Sequence, residues 1–135
     1  MITAKLKGVK VHDRRVMAAV KNASVAPLDK CALLVEREAK KSMKAGGALG
    51  RVGPRGGYVR EPSAPGTPPH VQRGALRASI GWARDGESRV VGPTEKYGAA
   101  HEFGTRLLPK RPFMRPALQK VKSKFAALFR NLRLK

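Results

Sequence analysis

The last third of the chain constrains its fold most. From Tyr97 to Leu118 it reads YGAAHEFGTRLLPKRPFMRPAL: a short polar and apolar segment closed by Gly104-Thr105, a basic connector, then Arg111-Pro112-Phe113-Met114-Arg115-Pro116. Pro112 and Pro116 fix their own φ and drive Arg111 and Arg115 toward extended conformations, so Phe113 and Met114 sit on a rigid lead-in. Pro116 suits the first position of a helix. In that helix Leu118, Val121, Phe125, Leu128 and Leu132 recur every three or four residues and form one apolar stripe. At about 1.5–3 kcal/mol for each fully buried large side chain, the stripe contributes about 10 kcal/mol gross, as much as the net stability of a small domain.

The rest of the chain offers elements for that stripe to meet. Residues 4–11 read as a short strand, followed by a helix from about Arg14 to Asn22 with Asp13 as N-cap. A second helix opens at Pro27 and runs to about Met43, with Leu28, Cys31, Ala32, Val35, Ala39 and Met43 on one side. Leu76, Ala78, Ile80 and Trp82 alternate with Arg77, Ser79 and Gly81, the period of a half-buried strand. Asp85-Gly86 supplies a hairpin turn, and Arg89 to Gly92 reads as the return strand, stopped by Pro93. Tyr97 to Phe103 is either a short helix capped by Thr94 and stopped by Gly104 or a third strand. The expected fold is α+β in one domain, residues 1–135: a small antiparallel sheet packed by N-terminal and C-terminal helices.

Between them, Lys44 to Gly74 holds eight of the fourteen glycines and five of the ten prolines, and no period survives there. Ordering some thirty residues costs on the order of 30–60 kcal/mol of backbone entropy, which Leu49, Val52, Tyr58, Val59 and Val71 do not offset within one copy of the chain. The segment therefore reads as a long arm, loose in solution, that a neighbouring subunit holds through Tyr58, Val59 and Val71.

Twenty-nine Lys and Arg against nine Asp and Glu leave a formal charge of +20, which calls for an anionic partner or a charge-complementary neighbour. A single cysteine excludes an internal disulfide framework, and the sequence has neither an apolar run of membrane-spanning length nor a secretory signal pattern; a cytosolic product with no membrane partner is expected. Cys31 lies on an apolar stripe and reads as a small core residue. His101-Glu102-Phe103-Gly104-Thr105 begins like the zinc-protease motif HExxH, but Thr105 stands where the second histidine belongs. His12, His70 and His101 are scattered singly, and Gly46 to Gly57 lacks the Gly-Lys-Ser/Thr ending of a phosphate loop. No catalytic constellation, cofactor or metal is expected. Glu102, the last acidic residue, reads as an anchor for Arg111 or Arg115.

Three stretches carry a resemblance: SAPGTPPHVQRGALRASI from Ser63 to Ile80, VGPTEKYGAAHEFGT from Val91 to Thr105, and RPFMRPAL from Arg111 to Leu118. In this order they resemble the tail-component family of long-tailed bacteriophages, the small neck or tail-completion proteins of lambdoid siphophages. Gln72-Arg73-Gly74-Ala75-Leu76 departs from the family's usual Thr-Gly-Arg-Leu. The resemblance implies a non-enzymatic virion protein, assembled in the bacterial host cytoplasm, that forms a homo-oligomeric ring at the head–tail junction between head-closure or connector proteins and the tail tube. Phe113 and Met114, beside Arg115, then either plug against another subunit or fill the domain's own core. Arg106, Lys110, Lys120, Lys122, Lys124, Arg130 and Arg133 are candidates to face packaged DNA or an acidic ring. A small basic nucleic-acid-binding protein of ribosomal or nucleoid type is the alternative, since ten basic and no acidic residues follow Phe103.

Overall fold

The computed structural model describes residues 13–46, 49–52, 56 and 58–133; the strand expected over residues 4–11 lies outside them. Eight elements follow in order: α1 (Arg14–Ser42), β1 (Leu49–Val52), β2 (Tyr58–Arg60), α2 (Ala75–Ser79), β3 (Ile80–Asp85), β4 (Ser88–Pro93), α3 (Tyr97–Phe103) and α4 (Met114–Phe129). The fold is α+β, with the antiparallel pair β3–β4 packed against the long terminal helices.

Asp13 caps α1 as its sequence suggests, accepting the Arg15 amide at 2.8 Å. The two expected helices are one, however, and Pro27 sits inside it. Proline removes one backbone donor and crowds the carbonyl four residues earlier, but neighbours hold the helix on both sides of it. Arg89 donates to the Val25 carbonyl, and the Asp29 carboxylate accepts from both Arg84 and Arg89. These contacts join α1 to both strands of the hairpin. Cys31, Ala32, Val35 and Ala39 of the helix and Met43 at its C-cap are buried, as their spacing requires.

β3 and β4 pair from Ile80↔Pro93 through Trp82↔Val91 to Asp85↔Ser88, around a turn at Gly86-Glu87. Leu76 to Ser79, expected to belong to the first strand, are helical instead. Ala78 N–H reaches the Gly74 carbonyl at 2.9 Å and Ser79 Oγ reaches the Leu76 carbonyl at 2.8 Å. A five-residue helix is too short to show a period of its own, so its alternation merged with that of Ile80 to Trp82.

Ile80, Val91, Phe113, Met114, Ala117 and Val121 complete the core with the α1 residues. Ala32, Ala39 and Ala117 are 2%, 0% and 1% exposed, and such small side chains let α1 and α4 approach closely. α4 begins at Met114, two residues before Pro116, so Arg115 is helical rather than extended. Pro116 falls in the first turn, where a missing N–H costs nothing. Of the expected stripe Val121 is buried and Leu118 and Phe125 pack against the core, while Leu132 lies beyond the helix and is exposed.

The arm differs from its sequence expectation. β1 and β2 form an antiparallel pair, and residues 61–74 are tied to the domain. Gly66 N–H reaches the Lys110 carbonyl at 2.9 Å, Val71 N–H reaches the Lys44 carbonyl at 2.8 Å, and Ala45 and Val71 make a parallel bridge. Ser63 and Pro69 are buried, and Val71 packs on the core of its own chain. Pro65, Pro68 and Pro69 restrict this stretch before it folds, lowering the entropy cost that made the arm look unaffordable to one chain. Tyr58 and Val59 lie in β2; their side chains are outside the described residues.

Candidate functional site

The three stretches that carry the resemblance meet at one junction. α3 forms over Tyr97–Phe103 with Lys96 as N-cap, so Thr94 is not the cap; its N–H goes to the Ser79 carbonyl at 3.1 Å. Gly98 faces Pro93 so closely that a Cβ there would stand 2.5 Å from the proline Cγ, which fits α3 tightly onto the end of β4. Gly104 ends the helix at φ 78°, beside the Lys110 amide and the Leu108 carbonyl, a backbone state that glycine alone adopts without strain. The chain then turns through reciprocal contacts, Thr105 N–H to the Leu108 carbonyl at 2.9 Å and Leu108 N–H to Thr105 Oγ1 at 3.1 Å.

Glu102 anchors this turn to α4, but not through an arginine. Its Oε2 accepts the Phe113 and Met114 amides at 2.8 and 3.0 Å, and its Oε1 accepts the Arg115 amide at 3.0 Å. The first amides of a helix lack partners within it, and their dipoles favour a negative charge. Phe113, at the N-cap, has no oxygen to offer them, so the cap comes from α3. Arg115 contributes its backbone and leaves its side chain exposed.

Arg111 is 8% exposed. Its amide donates to the His101 carbonyl at 2.6 Å and its Nε to the Ser63 carbonyl at 2.9 Å. No ion pair reaches it among the described residues. Beside it opens a cleft of about 530 Å³, lined by Met43, Val71, Leu76, Tyr97 and Leu108 as well as by Ser63, Arg73, His101 and Arg111. Two polar atoms of this lining, Ser63 Oγ and His101 Nδ1, are buried without a hydrogen-bond partner among the described residues. Burial, and then the charge of Arg111, push the His101 pKa below the ordinary histidine value, so its ring is neutral at pH 7. Tyr97 packs edge-on against that ring at 6.1 Å. Burial likewise raises the Cys31 thiol, which stays protonated in the core.

Phe113 is 0% and Met114 9% exposed, so both fill their own core and neither is free to plug against another subunit. The surface that sequence reasoning passed over lies on either side of Gly104: Phe103 is 75% and Leu107 93% exposed. Its one signal was the Leu107-Leu108-Pro109 run, apolar residues beyond a helix stop with no period to bury them. Among the expected charge-bearing residues, Lys120 is engaged by Glu38 of α1 at 2.9 Å, which holds that carboxyl below its usual range. Arg106, Lys110, Lys122, Lys124, Arg130 and Arg133 are exposed and make no ion pair among the described residues. The described residues include no group of His, Cys, Asp and Glu able to hold a metal and no helix long and apolar enough to cross a membrane.

No protein-family model, curated protein or solved structure matches this chain.

Proposed function

We propose that the chain is a structural, non-enzymatic component of a phage head–tail junction, a ring-forming neck or tail-completion protein that links head-closure or connector proteins to the tail tube. One observation carries the reading. The residues behind the three-part resemblance bond to one another: Ser63 and His101 hold Arg111, Glu102 holds the start of α4, and the Thr94 amide reaches the Ser79 carbonyl. Three separated stretches thus act as one unit. Phe103 and Leu107 give that unit an exposed apolar edge beside Arg106, suited to a neighbouring subunit. Mass in solution, measured by light scattering over a range of concentration, tests it. A ring component self-associates, and Phe103→Ser with Leu107→Ser abolishes the association. A chain that stays monomeric both alone and with connector proteins would refute the reading.

The unpaired cations of the 106–133 region favour one second reading, a nucleic-acid-binding protein. That alternative requires monomers that bind duplex DNA or RNA with an affinity falling steeply as salt rises.

A further inference from the structure

The cleft beside Arg111 sets a buried guanidinium among largely apolar walls. All nine acidic side chains of the chain fall among the described residues, so the counter-ions available to Arg111 can be followed one by one. Asp13 caps α1, Asp29 holds Arg84 and Arg89, and Glu36, Glu38 and Glu87 pair with lysines. Glu102 is spent on three amides of α4. Glu61, Asp85 and Glu95 are exposed and make no ion pair among the described residues. Arg111 is left more than nine-tenths buried with one neutral hydrogen bond, from Nε, and no acceptor among the described residues for its two Nη nitrogens. A buried charge without a partner is strongly unfavourable. The Ser63 hydroxyl, also more than nine-tenths buried, is unsatisfied in the same lining, and its backbone carbonyl is already fixed on Arg111.

We propose that this cleft binds a carboxylate carried on an apolar stem. The planar guanidinium fork matches a carboxylate edge to edge, and the Ser63 hydroxyl turns to donate a further hydrogen bond. Met43, Val71, Leu76 and Leu108 receive the stem. These apolar walls disfavour a fully hydrated ion such as phosphate, which would lose its water without regaining enough hydrogen bonds. A volume of about 530 Å³ lies within the range of small-ligand sites. The carboxylate comes either from a free small molecule or from an acidic side chain of another copy, since Glu61, Asp85 and Glu95 are exposed and pair with no cation among the described residues.

Titration of the full chain with hexanoate at constant ionic strength, followed by calorimetry and amide NMR, tests the site. Saturable binding is expected, with hexanol and inorganic phosphate each at least about tenfold weaker. Arg111→Lys keeps the charge and loses the fork, and is expected to weaken hexanoate at least about fivefold. Ser63→Ala removes a hydroxyl that makes no hydrogen bond among the described residues, so it leaves the melting temperature unchanged or higher while weakening hexanoate about threefold or more. The proposal is overturned if hexanoate does not saturate, if hexanol binds as well, or if both variants bind as the native chain does. Solution mass with and without saturating hexanoate then separates the sources: dissociation assigns the carboxylate to another copy, and unchanged mass assigns it to a free molecule. Neither result depends on a role in a phage particle.

Discussion

Replacing Glu102 tests the junction most directly. Its carboxylate accepts three consecutive amides, of Phe113, Met114 and Arg115, and is the side-chain cap of α4 among the described residues. Loss of an ordinary neutral cap costs about 0.5–2 kcal/mol. A carboxylate facing the helix dipole adds up to about 2 kcal/mol in a partly buried setting. Glu102→Ala is therefore expected to cost about 1–4 kcal/mol. Glu102→Gln keeps one accepting oxygen and sets an NH2 group against the remaining amides, for a loss of about 1–3 kcal/mol. At about 3–4 °C per kcal/mol for a chain of 135 residues, the alanine variant melts roughly 3–16 °C below the native protein. Circular dichroism at 222 nm reads the transition, and urea titration gives the free energy independently. Arg115→Gln is the control, because it preserves the Arg115 amide and removes only the guanidinium; it is expected within about 0.5 kcal/mol of native. The reasoning fails if Glu102→Ala melts with the native protein, or if Arg115→Gln reproduces its loss.

Three further outcomes follow from the same geometry. The Asp29 carboxyl lies below its ordinary value of 3.8, chiefly through its bond to Arg84, so its contribution is complete above about pH 4 and is lost as pH falls through the lowered folded value; Asp29→Asn is less stable at pH 7 and shows a shallower acid limb in melting against pH. His101 also titrates lower in the folded chain, so the unfolded chain takes up its proton first and stability declines as pH falls below about 6.5; His101→Gln removes that part of the decline. Gly98→Ala brings a methyl group against Pro93 and Leu76; overpacking of about 1–3 kcal/mol outweighs a gain in helix propensity of up to about 1 kcal/mol, and urea titration shows a net loss.

Much of the fold was legible because it rests on periodicity and punctuation. The α1 stripe from Cys31 to Ala39, the hairpin turn, expected at Asp85-Gly86 and formed one residue on at Gly86-Glu87, and the stop at Gly104 each depend on residues near one another in sequence. Pro27 misled because its local cost is set against contacts from Arg84 and Arg89, some sixty positions away. Glu102 was legible as an anchor but not in its choice of partner, since backbone amides carry no letter in a sequence. The cleft was hidden for a related reason. Arg111 and Ser63 stand 48 residues apart, and their bond passes through a carbonyl that every residue possesses. Val71 and the prolines before it looked too sparse to order the arm because the Lys44 and Lys110 carbonyls that hold it also lie outside any side-chain pattern.

Pro27 divides α1 in a way its continuous geometry conceals. Among the described residues none before Ser24 is buried, and Val16 and Met17 are 40% and 36% exposed. The ten residues from Arg14 to Ala23 would extend about 15 Å, and a helix that short is marginal in water by itself. Its helicity is borrowed from the segment beyond the proline through a join that lacks one hydrogen bond, with the exposed Lys21–Glu87 pair as a light tether. Opening of the first three turns therefore requires little of the global unfolding free energy, whereas opening between Cys31 and Met43 requires the core to separate. One helix thus spans two regimes of amide exchange, fast before Ser24 and protected after Asp29, and binding that covers Val16 and Met17 would erase the boundary.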